Sequence, residues 1–243
     1  MLLDGALRPK AWAVRSGQVV VLEREGDTHQ SADSLLEQVV VVDSTQDFAA
    51  VFKPAGVHTQ KLAASREPAV EQVLEQLFPQ ARPVLLNRLD QATSGLVLVG
   101  LALAAGDQYV QAQEQGLVLK TYVAAVQGRM TESLTLRHVL DTAKRKKVRV
   151  QGENDPDHLR WTEFTPLCPG KRRSLVKAQI KKGRRHQIRA HAAKAGWPLI
   201  GDALYGGPKA ESLYLHHREI AFPGFSARCD PEWKEWSQCL SVV

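Results

Sequence analysis

From residue 119 to residue 222 the chain is written mainly in short strand-like segments, which restricts the folds open to it. "LKTYVAAVQG" alternates so that Lys120, Tyr122, Ala124 and Val126 share one face. "KKVRVQ", "RWTEFTPL", "RSLVKAQIKKG" and "LYLHHREIAF" follow as further strands, and "GLVLVG" ahead of them reads as a buried one. Helical spacing appears in "PAVEQVLEQLF", with apolar Val70, Val73, Leu74, Leu77 and Phe78, and in "LALAAGDQYVQAQEQ". It appears again in "RRHQIRAHAAKAG", closed by Gly196 and Pro198. Many strands with few interspersed helices predict an α+β fold, its central sheet mixed and mostly antiparallel, rather than a doubly wound sheet. Near the start, "GQVVVLE" and "EQVVVVD" read as two short strands joined by a polar stretch over 24–34. Residues 1–38 are expected to be an appendage, and 39–243 the main domain.

No apolar run reaches the roughly 18 residues that cross a bilayer, and "MLLDGALRPKAW" lacks a signal-peptide core. A cytoplasmic protein with no membrane partner is expected. Cys168, Cys229 and Cys239 show no C-x-x-C spacing and an odd count, so they read as reduced structural residues. Charge is more informative. Residues 141–194 hold 16 Lys/Arg and 5 Asp/Glu, a local net of +11 against +6 overall, so the remainder carries −5. The clusters "AKRKKVRV", "GKRRS" and "KKGRRHQIR" make a directed basic patch, the footprint of a phosphate-backbone binder.

Several chemistries find no support. "GDALYGG" lacks the Gly-Lys-Ser/Thr end of a phosphate loop, and no G-x-G-x-x-G occurs. His186 and His191 are five apart, poorly placed to share a metal on a helix, and adjacent His216 and His217 face opposite ways on a strand. Neither a metal nor an organic cofactor is expected. What remains is "LLNRLDQATSGLVLVG", where Arg88 and Asp90 would share one face of an extended chain with Leu89 opposite. Asp-Gln-Ala-Thr-Ser-Gly is also turn-forming material, so Asp90 reads either as a turn residue or as a pocket carboxylate.

"NRLDQATSG", "LKTYVAAVQG" and "KKGRRHQIRAHAAKAGWPLIGDALYGG" resemble the three signature segments of the RluA-type pseudouridine synthases. "FKPAGV" and "LYLHHREIAFP" resemble the family's flanking segments in the same order, so the likeness runs from about Val39 to Pro223. It implies the pseudouridine synthase fold, a bent sheet flanked by helices and loops with a catalytic cleft across it. It also implies cofactor-free isomerisation of uridine in structured tRNA or rRNA by an isomerase; a monomer is expected. By that match Asp90 is the catalytic carboxylate, attacking the uracil ring or the sugar's anomeric carbon. Tyr122 would lie against the flipped base and serve as the sugar-proton base, Arg189 would pair with Asp90, and Arg88 would occupy part of the vacated space. RNA contacts are expected from Arg88, Lys120, Arg145, Lys146, Lys147, Arg184 and Arg185.

The residue types suit these roles. A base to be detached and reattached must leave the stack for a closed pocket. A buried carboxylate stays ionised only beside a cation such as Arg189. His186 and Gln187 are read as caps or strand bridges, and Gly201-Asp202 with Tyr205-Gly206-Gly207 as a turn beside the site. Asn87 stands where the family usually has His, which predicts altered local hydrogen bonding with activity retained. Two rival readings remain at this point: a non-catalytic RNA-binding protein or chaperone, and a hydrolase using Asp90.

Overall fold

Burial on both sides explains the uninterrupted apolar run of "GLVLVG". In the computed structural model it forms strand β7 (Ser94–Gly100), with Leu96 and Leu98 in one core cluster and Val97 and Val99 in another. A strand covered on one face alternates; one covered on both reads as continuous hydrophobe. The structure describes residues 2–3, 6–7, 20–21, 32–63, 67–143 and 146–240, with backbone pairing alone ahead of residue 32.

The chain divides into Met1–Ser31 and Ala32–Val243. Within the first, β1 (Leu2–Leu3), β2 (Ala6–Leu7) and β3 (Val20–Val21) pair antiparallel in the order β2-β1-β3. The expected strand over 17–23 is thus described only at Val20–Val21, and the polar stretch over 24–31 lies outside the described residues. The larger part begins with helix α1 (Ala32–Leu36), whose Leu35 and Leu36 pack against the Val97/Val99 cluster. That packing places residues 32–38 with the larger part, where the sequence reading had set them in the appendage.

The main sheet starts with β4 (Val41–Ser44) and β5 (Phe48–Lys53). Helix α2 (Leu74–Leu77), β6 (Val84–Leu85), β7 and helix α3 (Ala105–Glu114) follow. Then come β8 (Leu119–Gln127), β9 (Leu134–Leu136), β10 (His138–Asp141), β11 (Arg149–Asn154), β12 (Thr162–Pro169) and β13 (Arg173–Ile180). Helix α4 (Gln187–Lys194), β14 (Leu215–Phe222), β15 (Phe225–Arg228) and helix α5 (Ser237–Leu240) complete it. Among the described residues ten strands form one sheet along β4-β5-β7-β14-β8-β13-β12-β9, with β15 on β14 and β6 on β7. Every pairing in it is antiparallel except β14 with β7, so the expected mixed, mostly antiparallel sheet is what forms. Register shifts at Pro166/Cys168 in β12 and His217/Glu219 in β14 bend it, as bulges do. β10 and β11 pair as a separate ribbon.

Three expectations are corrected. The single helix expected over 68–78 is a 3-10 turn, Val70–Gln72, followed by α2. Val70 donates its N–H to the His58 carbonyl and Ala69 forms a bridge with His58, so tertiary pairing takes the first turn. The apolar face is nonetheless the expected one, with Val70, Val73, Leu74, Leu77 and Phe78 all in one cluster. Helix α4 starts at Gln187 because His186 has φ 55°, a left-handed value that no helix can include. Finally, Cys168 and Cys239 form a disulfide with Cα atoms 6.0 Å apart, leaving Cys229 free. They lie 71 residues apart in sequence and meet because Trp236 and Leu240 pack on the back of β8 and β13 beside them. Spacing alone carries no trace of such a bridge. No helix among the described residues is long and apolar enough to cross a membrane.

Candidate active site

Residues 86–93 connect β6 to β7, and five tethers hold them. Leu86 donates its N–H to the Leu98 carbonyl, and the Asn87 side-chain oxygen accepts the Leu98 N–H at 2.8 Å. Leu89 donates its N–H to Thr59 Oγ1 at 3.0 Å while that hydroxyl donates to the Leu89 carbonyl at 3.1 Å. Gly56 N–H donates to the Gln91 carbonyl, and Thr93 N–H to that of Asp90, closing a turn. Both readings of Asp90 are therefore met in space: it begins a turn, and that turn rims a pocket. Asn87 Nδ2 is buried without a partner among the described residues.

Beneath the loop lies Lys53, fully buried, its ammonium donating to the carbonyls of Pro54, Val57 and Gln91 at 2.9, 2.7 and 3.1 Å. Burial pulls its pKa down to about 7 against the opposing pull of Asp90. Lys53→Met is expected to leave the Pro54 and Val57 carbonyls without a donor, each worth about 1–3 kcal/mol, and the Gln91 carbonyl with Gly56 N–H alone, less what is regained by no longer burying a charge. Thermal unfolding should fall by roughly 5–10 °C. Because Lys53 titrates lower folded than unfolded, the native chain binds fewer protons between about pH 7 and 10.5. Its contribution to stability therefore rises with pH across that window, and this rise should vanish in the variant. An unchanged melting temperature would show that Lys53 does not hold the loop.

β8 presents Lys120 and Tyr122 toward the same cavity, as its alternation predicts. The Tyr122 ring is stacked on His217, centroids 4.5 Å apart and planes 19° from parallel. His217 Nδ1 bonds the Leu96 carbonyl at 2.6 Å, and burial holds this histidine at a pKa of about 3, so it is neutral. Close approach of β14 to β7 depends on Gly95, where φ is +113° and a Cβ would stand 2.3 Å from the His217 carbonyl oxygen. Burial first, then the Tyr109 and Asp90 charges, push the Tyr122 phenol pKa up, so it stands as the neutral phenol. Lys120 is 5% exposed, near the Tyr109 ring, and burial lowers it to about 8.

α4 supplies Arg189, a buried guanidinium holding two carboxylates. Its Nη1 donates to Asp90 Oδ2 at 3.0 Å, the pairing the sequence implied. Nε and Nη2 donate to the two oxygens of Asp202 at 2.7 and 2.8 Å, and the Asp202 side chain is 0% exposed. Burial works against the charge, but the hydrogen bonds and charges of Asp202 and Asp90 raise Arg189 above its ordinary value. Sequence reasoning missed Asp202 as a site residue. "GDALYGG" is the turn it was read as, and that turn delivers the carboxylate. Gln187 does bridge, its amide donating to Arg160, Trp161 and Thr162 of the approach to β12. His186 does not cap the helix and lines the cavity.

The result is a cavity of about 420 Å³ lined by Arg88, Asp90, Lys120, Tyr122, His186 and Arg189 among others, within the usual range for small-ligand pockets. Of the expected RNA contacts, Arg88, Lys146, Lys147 and Arg185 are exposed and Arg184 half-buried. Lys120 forms the cavity's inner wall, and Arg145 lies outside the described residues. Part of the basic patch is internally paired: Arg160 and Lys182 with Asp157 at 3.2 and 3.8 Å, Arg184 with Asp155 at 4.0 Å.

A flipped base, a carboxylate to attack it and a basic rim are the needs of an enzyme that works on a nucleotide in RNA. The family described as RNA pseudouridylate synthase matches residues 47–194, more than half of the chain, and the chain belongs to that family. It is 34% identical over 145 residues to an uncharacterized RNA pseudouridine synthase, YjbO, of Bacillus subtilis, covering 57% of this chain and 50% of that protein. Identity is 28% over 217 residues with ribosomal large subunit pseudouridine synthase D of Pseudomonas aeruginosa, 85% of this chain and 66% of that one. It is 32% over 183 residues with tRNA pseudouridine synthase C of Salmonella typhi, 69% of this chain and 70% of that one. The chain thus spans about half to two thirds of the first of these relatives. Among solved structures, human RNA pseudouridylate synthase domain containing 1 superposes with a TM-score of 0.66 at 22% identity, covering 86% of this chain and 96% of that one. That likeness carries the fold, a pseudouridine synthase domain.

Proposed function

We propose that this chain isomerises uridine to pseudouridine in structured tRNA or rRNA. The observation that carries this is the Asp90 carboxylate, 22% exposed, held by the Arg189 guanidinium in a cavity floored by Tyr122. The reaction breaks the bond from N1 to C1′ and makes one from C5 to C1′. The hydrogen on C5 leaves to solvent as a proton and N1 takes up a proton in its place, so the product is an isomer and no redox partner is consumed. Asp90 attacks C1′ or C6; in either case Arg189 Nη1 holds the carboxylate through Oδ2.

Tyr122 offers the detached uracil a flat apolar face that His217 holds in place, and stacking of this kind contributes about 1–3 kcal/mol per base. If the route passes through C1′, a proton must leave the sugar, and the Tyr122 oxygen is the group expected to receive it. Its raised pKa means this occurs as the phenol passes its own proton on, not from a standing phenolate. Arg88, exposed at the rim, would fill the gap left in the RNA. Lys146, Lys147, Arg184 and Arg185, with Arg145, would hold the phosphates on either side.

Release of tritium from RNA labelled at C5 of uridine tests the reading. Wild-type protein should release it, and separate incubation of the tRNA and rRNA pools should assign the target class. Binding without release from either pool would favour a non-catalytic RNA-binding protein.

A further inference from the structure

His186 is the one non-glycine residue with positive φ among the described residues, and it sits at α4's N-cap, directly ahead of buried Gln187. Left-handed backbone in a residue with a Cβ costs energy, and such strain persists where surrounding structure enforces it, commonly at functional sites. Here it brings no helix cap, because the side chain makes no bond to the helix. Instead it turns the imidazole into the cavity. Nδ1 lies 3.1 Å from Tyr205 Oη, with the two rings edge to face at 5.7 Å, and Nε2 lies 3.7 Å from Asp90 Oδ2.

Tyr205 is the group that faces Nδ1 and so bears on which nitrogen carries the proton. Its Oη accepts the Val148 N–H at 2.9 Å and has one hydrogen to give. The acceptors within reach are His186 Nδ1 at 3.1 Å and the Val148 carbonyl at 3.4 Å, and the shorter contact goes to the histidine. Nδ1 is then an acceptor and the ring proton sits on Nε2, facing Asp90. The opposite tautomer would aim a lone pair at a carboxylate. Arg189 Nη1 bonds that same oxygen, Oδ2, at 3.0 Å, so the guanidinium and the imidazole edge, 3.7 Å away, both approach the carboxylate at Oδ2, and Oδ1 takes a hydrogen bond from neither.

Resting on the reaction proposed above, we infer that His186 is a positioning residue for Asp90. Held as its Nε2–H tautomer by Tyr205, it fixes Oδ2 together with Arg189 and so selects Oδ1 as the attacking oxygen. The charged groups facing the imidazole are Asp90 and Asp202 on one side of the balance, and Arg189 and Arg185 on the other. With burial acting first, they leave it below its ordinary pKa, in keeping with a neutral ring.

The test uses the full chain and two readouts. In tritium-release single turnovers, His186→Gly removes the ring and relieves the backbone strain together. It should slow turnover on the order of 10²-fold, the effect of a misplaced reacting group, with RNA affinity and melting temperature kept. His186→Asn accepts the left-handed backbone and retains an N–H donor, so it should recover part of that rate. Full turnover in His186→Gly, or His186→Asn no faster than His186→Gly, overturns the proposal. The second readout does not depend on catalysis: ¹⁵N spectra of imidazole, with the His186 signals assigned by their loss in His186→Asn. An Nε2–H ring in wild type that becomes a tautomer mixture in Tyr205→Phe supports the assignment, and an Nδ1–H ring in wild type overturns it. A wild-type protein without isomerase activity would sink the proposed reaction, while the spectra would still decide the histidine's state.

Discussion

Asp90→Asn is expected to lower tritium release from C5-labelled RNA by at least about 10³-fold, the scale on which enzymes lose rate with their nucleophile. The substitution is close to isosteric. An asparagine oxygen can still accept from Arg189 Nη1, and the turn closed by the Asp90 carbonyl and Thr93 N–H does not involve the side chain. Melting temperature should therefore stay near that of wild type. RNA affinity should be kept or rise slightly, since one negative charge leaves a cleft rimmed by Arg88, Arg184 and Arg185. Reversing charge at Lys146 and Lys147 should do the converse, weakening binding and reducing its salt dependence by about one unit of slope per lost phosphate contact. A non-catalytic binder predicts the reverse pattern, indifferent to Asp90 and Tyr122. Undiminished release by Asp90→Asn would falsify the assignment of the nucleophile.

What could be read ahead of the structure was whatever depends on neighbours in sequence. Alternation in "LKTYVAAVQG" correctly put Lys120 and Tyr122 on one face, because period-two geometry is local. The continuous apolar run of β7 likewise announced burial on both faces. The groups that hold Asp90 in place escaped because their partners are remote. Thr59 reaches Leu89 across 30 positions and Lys53 reaches Gln91 across 38. A lysine in "FKPAGV" says nothing by itself about three carbonyls waiting for it. Asp202 escaped for another reason: a Gly-Asp pair in a glycine-rich stretch is fully explained as a turn, and the same turn also supplies a buried counter-charge. His186 escaped because helical spacing continues smoothly through "RRHQIRAHAAKAG", whereas its backbone breaks that spacing to point a ring at Asp90.

Arg189→Met should be the most destabilising of the substitutions at this site, as well as inactivating. Asp202 has no exposed side-chain area, and among the described residues its carboxylate takes, apart from Arg189, only the Tyr205 N–H, at 3.3 Å. Stripping the partner from a buried charge of this kind costs about 3–5 kcal/mol. For a chain of this size that is a fall in melting temperature of roughly 10 °C. Such a loss, alone, would not separate a fold defect from a catalytic one. Arg189→Met combined with Asp202→Asn does, because the second change removes the stranded charge and leaves a neutral amide. The pair should recover most of the lost stability, a strongly non-additive result expected of groups in direct contact. Turnover should not return with it, since Asp90 still lacks the guanidinium that fixes its Oδ2. Arg189→Lys should fall between, because an ammonium carries the charge but cannot span both carboxylates with a planar fork. Turnover regained by the double variant would mean that Arg189 serves the fold alone. A single variant as stable as wild type would mean that Asp202 does not depend on it.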